Sequence, residues 1–119
     1  MSVRTGAKAV EFYKGAFGAR ELFRSQDDAG DVIAHLALGE SEFWGSDESP
    51  KNKNVSPESL GGATIRMMMV VDDPDAAFER AVKAGAICVS PVEDQPDGWR
   101  VERVVDPFGH YWEIGRPLN

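Results

Sequence analysis

The stretch Val101–Ile114, VERVVDPFGHYWEI, leaves this chain few ways to fold. Val101, Val104 and Val105 lead into Asp106-Pro107, where proline fixes φ and aspartate favours turn geometry. Gly109 lets the backbone reverse, and the residues from Tyr111 to Ile114 are largely aromatic or β-branched. The segment therefore predicts strand, tight turn, strand. Glu113 falls inside the second strand, among residues suited to burial. A carboxylate there must face solvent, meet a donor or a metal, or accept a raised pKa. What Glu113 faces, and what stands opposite it, is the first functional question.

A chain of 119 residues suits one compact domain, burying about two-thirds of its extended surface on folding. With 42% apolar residues it has the material for a core. The formal charge of -7 argues against a nucleic-acid or anionic-membrane surface. Cys88 is the single cysteine, which excludes an internal disulfide and a cysteine-rich zinc site and reads as a small buried hydrophobe. The opening MSVRTGAKAV lacks the apolar region of a signal peptide, and the apolar run Met67–Val71 is too short to span a bilayer. The expectation is a soluble cytoplasmic protein.

In chain order, Met1–Arg4 supplies a short edge strand. Ala9, Val10, Tyr13, Ala16 and Phe17 then form one helical stripe, with Thr5 placed to cap it and Gly18 to end it. A strand follows through Leu22 and Phe23, and Ser25–Asp31 reads as a turn. Val32, Ala34, Leu36 and Leu38 then alternate, with His35 on the other face. Phe43-Trp44 reads as a short strand, and residues 45–63 as a polar connector. The second half opens with a strand over Ile65–Val71. Asp73 caps a helix with Pro74 in its first turn and Ala77, Phe78, Ala81 and Val82 as its buried stripe. Gly85 ends it, Ile87–Val89 is a strand, and Pro91–Gly98 is a turn-rich connection.

The order of elements repeats. Ala9–Ala19, AVEFYKGAFGA, aligns with Ala76–Ala86, AAFERAVKAGA, pairing Gly18 with Gly85. Each half offers one sheet face to its helix and must cover or use the other. Residues 1–47 form the first module of a single domain and residues 64–117 the second.

Taken together, AVEFYKGAFGARELF, VIAHLALGESEFWGSDES, VVDDPDAAFERAVKAGA and PVEDQPDGWRVERVVDPFGHYWEI make the chain resemble the vicinal oxygen chelate superfamily. The branch is the PhnB-like, glyoxalase/bleomycin-resistance/extradiol-dioxygenase-like one. The resemblance implies an α+β fold of two βαβββ modules forming a curved mixed sheet around a cavity, commonly as a homodimer. In metal-dependent relatives two histidines and two glutamates hold a divalent ion that accepts substrate oxygens. Of that set this chain carries Glu113. Arg66 stands nearest to the second-module histidine position, a one-residue slip giving Met67. The first-module histidine falls before Met1 or is absent, and the counterpart of Glu113 falls near Gly45 or Ser46. A cationic Arg66 repels a metal and is placed to pair with Glu113.

The site expected is therefore free of metal and cofactor. His35 is the candidate acid–base group, with Glu113 as its catalytic partner. Trp44, Trp99 and Trp112 offer aromatic walls, and Arg66 and Arg100 offer cations for an anionic or carbonyl group. Trp44 and Trp112 also suit a sheet core, Trp99 and Arg100 also suit a loop anchor, and His110 reads as part of the hairpin. Two function classes stand side by side. One is a small-molecule-binding or resistance-type homodimer taking a small organic ligand. The other is a lyase or related enzyme using His35 and Glu113.

Overall fold

The structure, a computed structural model, describes residues 1–119 and divides into two compact units, Met1–Gly62 and Ala63–Asn119. The first runs β1 (Ser2–Val3), α1 (Gly6–Phe17), β2 (Arg20–Gln26), β3 (Val32–Leu38) and β4 (Ser41–Asp47), followed by a short 3-10 turn, Pro50–Asn52, and α2 (Pro57–Leu60). The second runs β5 (Arg66–Val70), α3 (Pro74–Ala84), β6 (Ile87–Asp94), β7 (Trp99–Val105) and β8 (Tyr111–Pro117). Sheet orders are β1-β4-β3-β2 and β5-β8-β7-β6. In each the first strand lies parallel to the last and the other pairs are antiparallel. The βαβββ duplication is thus present in both halves. No helix is long and apolar enough to cross a membrane.

In the first unit α1 buries Ala9, Val10, Tyr13 and Ala16 against Val32, Ala34 and Leu36 of β3. Gly18 ends the helix in the left-handed region at φ 72°. Thr5 occupies the cap position, but its hydroxyl makes no capping bond. Asp47, at the end of β4, replaces it: Oδ1 accepts from the Gly6 N–H at 2.9 Å and Oδ2 from the Val32 N–H at 2.7 Å. Gly6 is required for this approach, since a Cβ there would lie 2.6 Å from Asp47 Oδ2. Strand β4 therefore extends to Asp47, beyond the Phe43-Trp44 core of the sequence reading, and takes the start of the expected connector into the sheet.

In the second unit Asp73 caps α3 as expected, Oδ1 accepting from the Ala76 N–H at 3.1 Å. Ala81 is fully buried, whereas Val82 is 39% exposed at the edge of the stripe. Strand β6 runs through Pro91 to Asp94, where a connection was expected. As the edge strand it tolerates the missing N–H, and its register shifts just before that proline and again across it. Cys88, expected to be buried, is exposed on β6.

The β7–β8 turn is built on Asp106. Its Oδ1 accepts from the Phe108 and His110 N–H groups at 2.9 and 3.0 Å, and Oδ2 accepts from the Trp112 indole N–H at 2.9 Å. Gly109 supplies the positive φ of 87°. Beyond the turn, Val104, Trp112 and Ile114 pack toward α3, and Glu102 is buried with them. Neither carboxyl oxygen of Glu102 has a hydrogen-bond partner. Burial, reinforced by Asp75 and Asp73 and opposed by Arg100, pushes its pKa from an ordinary 4.5 up to about 8.

Two stability measurements follow. Asp106→Ala leaves three buried N–H groups without their acceptor and is expected to cost about 3 kcal/mol, lowering the urea midpoint; a loss under about 1 kcal/mol would refute the anchoring role. At Glu102 the folded state retains a proton that the unfolded state releases, so this group's contribution falls as pH rises through the window from 4.5 to about 8. Glu102→Gln is therefore expected to match wild type near pH 5 and exceed it in thermal midpoint near pH 8. A difference that stays constant across that window would contradict a retained proton.

Candidate functional site

Strand alternation decides what each sheet presents on the face turned away from its helix. On β8, Trp112 and Ile114 point toward α3, so Glu113 points the other way. The register sets Glu113 opposite Arg103 of β7 and beside Met68 of β5, with Arg66 one pair along on the same face. Arg103 Nε donates to Glu113 Oε1 at 2.7 Å, and Arg66 Nη1 lies 3.0 Å from the same oxygen. The Arg66–Glu113 pairing read from the sequence is formed, and Arg103 joins it. The Glu113 side chain is 22% exposed, against 58% for Arg66 and 44% for Arg103. An open cavity of about 320 Å³ is lined by Ala63, Thr64, Ile65, Arg66 and Tyr111.

A divalent ion does not fit this donor set. One carboxylate is present, both guanidinium groups compete for it, and no group of three or more His, Cys, Asp or Glu side chains is placed to hold a metal. Two guanidinium groups around one carboxylate leave a single net positive charge.

In the first unit, burial of Val32, Ala34 and Leu36 against α1 turns His35 to the opposite face. Its Nε2 lies 2.7 Å from Glu42 Oε1, and its ring stacks on Trp44 with centroids 4.3 Å apart and planes at 2°. Phe23, paired with His35 across β2 and β3, sits 6.0 Å from the Trp44 ring. Trp44 is 52% and Phe23 50% exposed, so the row is an accessible aromatic surface. With Nε2 engaged by a carboxylate, Nδ1 is the nitrogen left to take or give a proton.

The remaining candidates sit differently. Trp112 is buried under α3 with its indole N–H on Asp106, which corrects its expected ligand contact to core packing. Arg100 faces the α3 side: Nε and Nη2 donate to Asp75 at 3.1 and 2.9 Å, and Nη1 donates to Asp94 at 2.8 Å. That commitment makes it the clamp between α3 and β6 rather than a lid cation, and it holds the Asp75 carboxyl below the usual range. Trp99 is half-buried at the start of β7, where its backbone closes the turn with Gln95 and Asp97. His110 is buried in the hairpin turn.

Sequence reasoning missed Arg103, Tyr111 and Glu42. Arg103 was within reach: 103 and 113 are equidistant from Phe108 at the centre of the turn, so counting outward pairs them. Tyr111 lies opposite Arg66 on the separate parallel β5–β8 ladder, a register the hairpin count does not give. Glu42 meets His35 diagonally across β3 and β4, and nothing in the local sequence marks it.

Residues 1–114 match the Glyoxalase/Bleomycin resistance protein/Dioxygenase superfamily. An uncharacterised protein of Mycobacterium bovis is 41% identical over 122 aligned residues, spanning 98% of this chain and 80% of its own length. TioX from Micromonospora sp. ML1 superposes with a TM-score of 0.76 at 29% identity, covering 99% of this chain and 94% of TioX. A mutant of FosX, the fosfomycin resistance protein of Listeria monocytogenes, was solved with Mn(II) and 1S,2S-dihydroxypropylphosphonic acid. It superposes with a TM-score of 0.73 at 16% identity, covering 98% of this chain and 87% of FosX, a likeness of fold alone.

The pairing at Glu113 has a measurable signature. A double-mutant cycle on Arg103→Ala and Glu113→Ala is expected to return a coupling of about 0.5–1 kcal/mol that shrinks at high salt, as for a partly exposed ion pair. A coupling indistinguishable from zero at low salt would mean that the pair does not form in solution.

Proposed function

This chain belongs to the glyoxalase/bleomycin resistance protein/dioxygenase superfamily, and we propose that it is a small-molecule-binding or resistance-type member that works without a metal quartet. The observation that carries this reading is the state of Glu113. The carboxylate that resembles the family's last ligand is held by Arg66 and Arg103 instead of by neighbours able to share a cation. The cavity beside Arg66 and Tyr111 in the second unit and, separately, the exposed aromatic surface of Phe23 and Trp44 in the first each offer features by which a small-molecule site selects by shape. The reading places the protein in the cytoplasm. It also makes it a homodimer, as the family resemblance implies, with the exposed Ile33 of the first sheet and Val70 of the second among the apolar side chains left for a second copy.

One observation favours a second reading, a lyase or related enzyme. Glu42 engages His35 Nε2, the arrangement by which a carboxylate orients an imidazole for proton transfer through its other nitrogen. In that reading His35 is the base and Glu113 orients the substrate.

Anaerobic titration with Mn(II), Zn(II) and Ni(II) separates the classes. No stoichiometric tight binding is expected; one ion bound per chain and lost in Glu113→Ala would reverse the proposal. His35→Ala is expected to weaken binding of the ligand found by a small-molecule panel while leaving the far-ultraviolet circular dichroism unchanged. Unaltered affinity and turnover would remove His35 from the site.

A further inference from the structure

The charge balance at Glu113 is unlike that of the other arginine–carboxylate clusters in the chain. Arg100 meets two carboxylates, Asp75 and Asp94. Arg24 meets Glu11 and Glu21, which also serve Lys14, and Arg4 meets Glu48. At Glu113 the proportion is inverted, two guanidinium groups to one carboxylate, in a chain whose formal charge is -7. Where arginines elsewhere meet carboxylates in these ion pairs, the carboxylates match or outnumber the cations, whereas here positive charge is left over.

The geometry makes that charge available. Both arginines approach the same oxygen, Glu113 Oε1: Arg103 donates Nε–H to it, and Arg66 brings Nη1 to 3.0 Å as an ion pair. The Nη1/Nη2 end of Arg103 and the Nε/Nη2 edge of Arg66 keep their donors. Either edge matches the spacing of two oxygens on a carboxylate, phosphate or phosphonate. Side-chain exposures of 44% and 58% leave both edges reachable. Arg66 also lines the cavity of about 320 Å³, together with Thr64 and Tyr111, whose hydroxyl-bearing side chains suit an oxyanion's remaining lone pairs.

We propose that Arg66 and Arg103, drawn together and aimed by Glu113, form a binding site for an oxyanion, so that the position resembling a cation ligand in this family serves an anion here. The proposal rests on the small-molecule-binding reading and adds the chemical class: an organic molecule bearing a carboxylate, phosphate or phosphonate. Glu113 then acts as a positioning residue. It fixes the two guanidinium groups and, being an anion itself, tempers the affinity.

This assignment gives Glu113 a sign that distinguishes it from a metal ligand. Binding of inorganic phosphate and of acetate is followed at constant ionic strength by the Arg Nε–Hε resonances and by the thermal midpoint, with chloride as control. Saturable shifts of the Arg66 and Arg103 resonances are expected with at least one of the two anions. Preference for phosphate assigns a tetrahedral group to the ligand and preference for acetate a planar one. Arg103→Ala and Arg66→Ala are each expected to weaken binding about tenfold, as loss of one charge-assisted pair does. Arg103→Lys, which keeps the charge but not the fork, is expected to fall between. Glu113→Gln is expected to tighten binding severalfold by removing the competing anion. Weaker anion binding in Glu113→Gln, or no shift beyond the chloride control, overturns the proposal. The second result, with no divalent ion bound either, leaves the metal-free reading standing, whereas tight Mn(II) binding abolished in Glu113→Ala removes both.

Discussion

A buried carboxylate in the turn between β7 and β8 sets which residues of the second unit can meet. Asp106 accepts two backbone N–H groups of its own turn and the indole N–H of Trp112, tying the loop to the strand that leaves it. Once the turn is closed the register is fixed: Val105 opposite Tyr111, Val104 opposite Trp112, Arg103 opposite Glu113. A slip of one residue would carry Trp112 and Ile114 to the outer face and Glu113 under α3, where an unpaired charge is costly. The same bonds that bury the tryptophan thereby present the carboxylate to Arg103.

The other half reaches a comparable end by a different residue. Asp47 ties the first turn of α1 to the start of β3 and to the end of β4. Its position explains both the idle Thr5 hydroxyl and the need for glycine at position 6. In each unit one acidic side chain, buried or partly so, spends its oxygens on backbone or indole N–H groups and locks helix, sheet or turn in place. These carboxylates stabilise by satisfying donors, and they are unavailable for chemistry.

Most of the scaffold was legible because it is written in local signals. Helix stripes, the Asp73 cap, the paired stops at Gly18 and Gly85, and alternation in β3 each depend on residues a few positions apart. The side of the sheet taken by His35 followed from alternation, whereas the Arg66–Glu113 pair was expected from the family resemblance and opposite charge. What escaped was set by distance along the chain. Asp47 caps a helix 41 positions away. Arg100 is claimed by Asp75 across 25 positions, so its availability could not be judged from the loop before it. Strand β6 passed through Pro91 because it is an edge, and a strand's place in its sheet is a property of the whole unit.

The pseudo-equivalent positions show how a duplicated scaffold acquires two different surfaces. Ser46 pairs with Ser2 across a parallel ladder just as Glu113 pairs with Met68, so the two occupy corresponding places. Around Ser46 the outer face carries the His35–Trp44 stack and Phe23, with Glu42 as its nearby charge. Around Glu113 it carries two guanidinium groups. Neither set supports the other's chemistry: the aromatic row offers flat polarizable area and one orientable imidazole, while the arginine pair offers directed positive charge. Each surface therefore selects on its own terms, the first for a planar apolar body and the second for an anionic group with two directed oxygens. In each unit a molecule lacking the matching feature is penalised separately, through lost contact area in the first and an unmet charge in the second.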